Sequence, residues 1–405
     1  MFFQTYKAGW RAGRAALAAV ALFAFTASPQ ARAQDKPLAA AAMLVEKQVF
    51  TLPAFTTHTG ATVRDVKFGW EAYGKPNADM SNVVLICHFF SGSSHAAGKY
   101  AADDKAAGYW DSIIGPGKAI DTDKYYVIST DTLANLNPFD PKVVTTGPAS
   151  IDPATGKPYG LSFPQLTIAD FVEAQKKLLD SLGVKKLTAV AGASMGSLQA
   201  VVWAARYPEM VERVAAVISP GLRVHPYSIA MLKGWMDPIL LDPDWAGGGY
   251  DPQKPPLRGL SVALQAVTVD ALQTGWAERF NNDWAKPDAN PADSLNAQYK
   301  VEAFLNDAGA ARAKFADANH FLYLAKASQT MDVAADIGKI KAKFLFLPAA
   351  GDLIFPPAQS AYWAEALKKQ GLPVRVKVLE GPLGHLNGVN LIQQAADDIK
   401  AFLAE

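Results

Sequence analysis

The chain has one cysteine in 405 residues, so no internal disulfide can brace it. Cys87 lies in the apolar run Val83-Val84-Leu85-Ile86-Cys87 and reads as a small core residue. Charge of either sign is not in excess: 39 Lys and Arg face 38 Asp and Glu. That balance gives no footprint for nucleic acid. His88 and His95 have no third ligand at a suggestive spacing, so each reads as a core or hydrogen-bonded histidine and no metal is expected. Low-complexity tracts and internal repeats are absent. Beyond the N-terminus no apolar stretch is long enough for a membrane helix. What remains is a chain that is 50% hydrophobic, ample for a large core.

The N-terminus carries Lys7, Arg11 and Arg14, then an uncharged run from Ala15 to Ala27, then Ala31-Arg32-Ala33. This is the pattern of a secretory signal peptide, with cleavage expected after Ala33. An uncleaved N-terminal anchor is the alternative. Cleavage removes four positive charges and takes the formal charge from +1 to −3. The mature protein is expected to be periplasmic or secreted, without a membrane span.

Short strands alternate with helices along the mature chain, which predicts an α/β fold with a mainly parallel sheet covered on both faces. Val63 to Tyr73, Val83 to Cys87, Tyr125 to Thr130, Leu187 to Ala191 and Val214 to Ser219 read as strands. Ile168 to Leu182 has helical spacing, with Asp170 near its start and Gly183 at its end. From about Gly221 to Asp336 the alternation stops. That segment is helix-rich and Pro/Gly-punctuated, and holds Trp235, Trp245, Trp276 and Trp284. Strands resume at Phe344 to Pro348 and at Val374 to Leu379. The expected organisation is a leader at 1–33, core at 34–220, a helical lid at 221–336 and core again at 337–405. A second independent domain is disfavoured because the candidate site residues flank the insertion.

Gly192-Ala193-Ser194-Met195-Gly196 sits between an apolar strand and a helical stretch. Strand, sharp turn and helix form the setting in which Gly-x-Ser-x-Gly carries a nucleophile. A Gly/Ser-rich turn without chemistry is the bland alternative. Two further residues argue against it. Asp352 follows Gly351 on a loop leaving a strand, and His385 follows Gly384 on a loop leaving another. The order Ser, Asp, His is that of an alpha/beta-hydrolase. A serine hydroxyl is a poor nucleophile alone. His385 would take its proton, and Asp352 would fix the histidine tautomer and steady the imidazolium. The oxyanion hole is expected from the N–H of Met195 and an N–H of the loop His88-Phe89-Phe90-Ser91-Gly92-Ser93, with Phe90 as donor. Gly115-Pro116-Gly117-Lys118 lacks phosphate-loop spacing and reads as a structural turn; no cofactor is expected.

These segments resemble the homoserine O-acetyltransferases, a branch of the alpha/beta-hydrolases. The resemblance covers nearly all the mature chain. It rests on His88 to Gly92, on Gly115-Pro116-Gly117-Lys118-Ala119-Ile120-Asp121-Thr122, on Phe163-Pro164, and on Gly192 to Gly196 with Gln199-Ala200. It continues in Leu241-Asp242-Pro243-Asp244-Trp245, Asp317-Ala318-Asn319 and Gly384-His385. It implies an acyl-enzyme on Ser194 with Asp352 and His385, a helical lid, and a homodimer through lid helices. The departures are informative. The family places an arginine where Met236 stands and an aspartate where Leu386 follows the histidine. Ala193 and Ser197 replace elbow glycines. Losing a charge pair that grips a zwitterionic acceptor removes several kcal/mol of binding, and an exported enzyme would lack cytosolic acetyl-CoA. An exported esterase cleaving short acyl esters is therefore expected. An O-acyltransferase using another acceptor or donor is the alternative, and a non-catalytic binding protein a distant third.

Overall fold

The computed structural model describes residues 43–405; the leader and its cleavage site lie outside them. Ten strands occur in chain order: β1 (Gln48–Thr56), β2 (Thr62–Tyr73), β3 (Val83–Cys87), β4 (Ile114–Gly115), β5 (Ile120–Asp121), β6 (Tyr126–Thr130), β7 (Ala189–Ala193), β8 (Arg213–Val217), β9 (Lys343–Leu347) and β10 (Val374–Val376). Eight of them form one sheet in the order β1-β2-β6-β3-β7-β8-β9-β10. β1 and β2 pair antiparallel, as do β2 and β6; every later pairing is parallel. The central strands are apolar on both faces. Val83 to Cys87 are all essentially inaccessible, as a sheet covered by helices on each side requires.

The helices are α1 (Ile168–Ser181), α2 (Met195–Arg206), α3 (Pro226–Leu240), α4 (Leu257–Ala271), α5 (Thr274–Ala277), α6 (Lys300–Ala313), α7 (Ala318–Gln329), α8 (Pro357–Lys369), α9 (Asn387–Asn390) and α10 (Ala396–Ala404). α1 starts in a capping box, in which Thr167 and Asp170 satisfy each other's backbone N–H groups. It ends before Gly183 at φ +80°, the left-handed residue that commonly closes a helix. No strand lies between β8 and β9 among the described residues. That interval, read as a lid, holds α3 to α7, with α3 packed on α4 and α7, and α4 on α6.

Several details depart from the sequence reading: β1, β4 and β5 were not anticipated, and β8 ends at Val217 rather than Ser219. The strand carrying the serine runs Ala189–Ala193, two residues beyond its expected end, so Gly192 and Ala193 belong to the ladder and the turn begins at Ser194 itself. β10 stops at Val376, and Leu379 makes only an isolated bridge to Ala349. Gly115 ends β4, and Pro116-Gly117-Lys118 lie in the turn to β5, held by Gly117 N–H donating to Asp121 Oδ1 at 2.7 Å.

Candidate active site

Ser194 is the residue between β7 and α2, with φ +55° and ψ −120°. That backbone is strained for a side chain. The chain can turn so sharply because its flanking glycines leave room. A Cβ on Gly196 would overlap the carbonyl of Cys87 at the end of β3, and one on Gly192 would overlap the backbone of Gly196. Buried amides stiffen the helix behind the turn. Gln175 Nε2 donates to Gln199 Oε1 at 2.7 Å, and Trp203 Nε1 donates to Gln175 Oε1 at 2.7 Å.

The three residues expected to work together meet. His385 Nε2 lies 2.7 Å from Ser194 Oγ, and His385 Nδ1 lies 2.8 Å from Asp352 Oδ2. The other carboxylate oxygen, Oδ1, accepts from the N–H groups of Ile354 and Phe355, each at 2.9 Å. Asp352 is therefore acceptor-only toward its own loop, and His385 Nδ1 supplies the proton between them. Asp352 and His385 are 3% and 4% exposed, so little water competes for that bond. Phe355 packs edge-on to the imidazole at 5.6 Å between centroids.

Of the two expected oxyanion donors, Met195 directly follows the turn, while Phe90 sits on the loop that leaves β3 with His88 O near Gly196. Met195 is the first residue of α2, where helical N–H groups have no intrahelical acceptor. Among the described residues no acceptor takes the N–H of Met195 or of Phe90. The Phe90 ring is locked edge-on against Trp235 at 6.0 Å and Phe321 at 5.1 Å, both from the inserted helices. Its loop is fixed by His88, which is fully buried. His88 Nδ1 faces Phe89 O at 2.7 Å, and Nε2 accepts from Thr132 N–H at 3.1 Å. The ring is thus a neutral Nδ1–H tautomer, and burial pushes its pKa below the usual imidazole range.

A buried charge cluster, not anticipated from the sequence, holds the far end of that loop. Glu71 is inaccessible to solvent. Its carboxylate meets Lys47 Nζ at 3.0 Å, His95 Nδ1 at 3.0 Å, Tyr100 OH at 2.7 Å and Tyr73 OH at 2.8 Å. Asp131 accepts from Ser94 N–H at 2.7 Å. Burial alone would raise the Glu71 carboxyl. His95, Lys47 and Tyr100 outweigh it and hold the pKa at about 2. So His95, like His88, serves hydrogen bonding. Cys87 is buried and burial pushes its thiol well above the usual range, which makes it unreactive.

A mostly parallel sheet of this order, with a serine on the strand-to-helix turn and the Asp and His on loops leaving later strands, defines an alpha/beta-hydrolase, an enzyme class of ester hydrolysis and acyl transfer. The alpha/beta hydrolase fold family profile matches residues 82–387. Within that class the chain belongs to the homoserine O-acetyltransferase family. It is 37% identical over 355 residues to the homoserine O-acetyltransferase of Solidesulfovibrio magneticus, covering 84% of this chain and 88% of that one. The crystal structure of homoserine O-acetyltransferase from Bacillus anthracis superposes with a TM-score of 0.85 at 36% identity, covering 90% of this chain and 98% of that one. The crystal structure of esterase E22 superposes with a TM-score of 0.86 at 47% identity, covering 89% of this chain and all of that one.

Proposed function

We propose that this protein is an exported serine esterase that cleaves short-chain acyl esters through an acyl-enzyme. The observation that carries the reading is the unbroken chain from Ser194 Oγ through His385 to Asp352. In that reading His385 Nε2 takes the serine proton as Oγ attacks the ester carbonyl. The N–H groups of Met195 and Phe90 receive the developing oxyanion. Asp352 stays ionised and stabilises the imidazolium, which then protonates the leaving alcohol. Water, deprotonated by the same imidazole, repeats the steps in reverse and frees the acid. The helical segment 221–336 acts as the lid and shapes an apolar pocket around Phe90, Trp235 and Phe321.

Hydrolysis is favoured over transfer by two apolar residues that stand where the resemblance would place charges. Met236 is buried among apolar neighbours on α3, and Leu386 packs with the apolar residues around Leu383. Neither can anchor the amine or carboxylate of an amino-acid acceptor, whereas water needs no anchor. The higher identity to esterase E22 than to the Bacillus anthracis acetyltransferase supports the same direction. O-acyl transfer to an alcohol is the second reading, favoured by the family's sequence similarity over most of the chain. Purified mature protein offered a p-nitrophenyl ester series, with and without homoserine and acetyl-CoA, separates the two. Acceptor-independent hydrolysis of short esters is expected.

The export leader 1–33 and a homodimer through the lid belong to the same proposal. Leu240, Leu257, Val262 and Val269 on α3 and α4, and Leu241 just after α3, are exposed apolar side chains that such an interface would cover. Light scattering of the eluted protein should give twice the chain mass, and the N-terminal residue of protein recovered from the periplasm should be Gln34.

A further inference from the structure

Gln273 lies between α4 and α5, in the segment read as the lid, far in sequence from the Asp and His loops. Its carboxamide is nonetheless inserted between them. Nε2 donates to Gly381 O at 2.6 Å, on the loop leading to His385. Oε1 lies against Gly351, the residue before Asp352, so closely that a Cβ there would overlap it. Gly384, the residue before His385, completes the fit. A Cβ on it would come 3.2 Å from Gln273 N, 3.4 Å from Gln273 Cβ and 3.1 Å from Gly351 O. Both glycines are left-handed, at φ +70° and +58°, so neither tolerates a side chain readily. Leu272, Trp276 and Leu383 form a small apolar cluster beside this contact.

We infer that Gln273 is a positioning residue for the Asp352–His385 pair, coupling the docked lid to the two loops that carry them. The inference rests on the reading of Ser194, His385 and Asp352 as the reacting set. Its physical basis is that general-base catalysis needs the imidazole aligned on Oγ, and a misplacement near 1 Å lowers the rate by about a hundredfold. The two loops hold each other through the Asp352–His385 bond, through Ala350 N–H donating to Leu379 O at 2.9 Å, and through backbone approach at Gly351 and Gly384. The amide of Gln273 is the side chain that bonds one and fills the space against the other.

The test uses the full mature chain. Gln273→Met keeps the length and removes the donor; Gln273→Ala removes both; Gly351→Ala displaces the amide from the other side. Gln273→Met should lower kcat about tenfold with KM within twofold. The acid limb of its pH–rate profile should move to lower pH, because a loosened Asp352 supports the imidazolium less. Gln273→Ala and Gly351→Ala combined should lose less than the product of their separate losses, since both break one contact. The proton on His385 Nδ1, followed by 1H NMR in the resting enzyme, should shift upfield in Gln273→Met. This arm needs no turnover: a wild type that hydrolyses no ester and leaves Ser194 unlabelled by a fluorophosphonate would defeat the esterase reading while the resonance still tests Gln273. Unchanged kcat, pH limb and resonance in Gln273→Met would overturn the inference, as would a loss confined to KM or multiplicative losses in the double variant.

Discussion

Ser194 is tied to Val217 of the neighbouring strand: its N–H donates to Val217 O at 3.0 Å. The strained backbone at Ser194 is therefore held from the β8 side by a main-chain bond that does not involve the hydroxyl. Removing the hydroxyl should leave the turn in place. Ser194→Ala is expected to keep the wild-type melting temperature and circular dichroism and to lose at least about a thousandfold in turnover, because the covalent route disappears. Turnover near wild type would remove Ser194 from the mechanism.

The same turn sets a steric limit two residues on. Gly196 passes so close to Cys87 O that a methyl group cannot fit without moving either β3 or α2. Both are buried and bonded along their length, so neither yields cheaply. Gly196→Ala should destabilise the protein by about 3 kcal/mol, as overpacking of a filled core does. Ala193→Gly, one residue before the nucleophile, should change stability by no more than about 1 kcal/mol. Urea unfolding of the two variants side by side measures the contrast.

Acid stability should depend on Glu71. Its folded pKa of about 2 lies below the unfolded value of 4.5. A depressed carboxyl contributes stability above its unfolded pKa and loses it as pH falls through the folded one. The window is thus from about pH 5 down to about pH 2, and the contribution is about 3 kcal/mol. Buried His88 acts in the same direction from higher pH, because the unfolded chain takes up a proton that the folded one refuses. Glu71→Gln should lower stability at pH 7 by about 3 kcal/mol, since Lys47 and His95 lose their buried partner, and should flatten the decline below pH 5. An unfolding midpoint that falls as steeply between pH 5 and 3 in the variant as in wild type would show that Glu71 is not its source.

That Ser194, Asp352 and His385 would meet was legible because each stands on a turn that the sequence marks. Gly192 and Gly196 bracket Ser194, Gly351 precedes Asp352, Gly384 precedes His385, and each turn leaves an apolar run. β1 was not legible. It is an edge strand carrying Pro53 and is largely exposed on both faces, so no alternation separates a core side from a solvent side. The cluster of Lys47, Glu71, His95 and Asp131 was hidden for a different reason. Its members come from four separate segments, and a lone charged residue in a half-polar stretch carries no signal until the fold brings it to its partners. Gln273 is the extreme instance: a single glutamine at a helix boundary, informative only through three glycines contributed by other loops.

Acceptor choice turns on Met236 and Leu386. If the charges missing there are what separates this chain from an amino-acid acetyltransferase, wild type should hydrolyse a short-chain ester at the same rate with or without homoserine. No O-acetylhomoserine should then appear by mass spectrometry. Met236→Arg combined with Leu386→Asp should gain detectable homoserine-dependent turnover. The gain comes at a cost to folding, because Met236 is 7% exposed and packs within the main core. An arginine there must bury its stem and reach the site with its guanidinium, and a buried unpaired charge is heavily disfavoured. Met236→Arg should therefore lower the melting temperature, both alone and in the double variant. Product formation by the double variant without change in its hydrolysis of the ester alone would locate acceptor specificity at these two positions. A clear O-acetylhomoserine product from wild type at millimolar homoserine would instead mean that the acceptor is held by other residues, and would restore the transferase reading for the native enzyme.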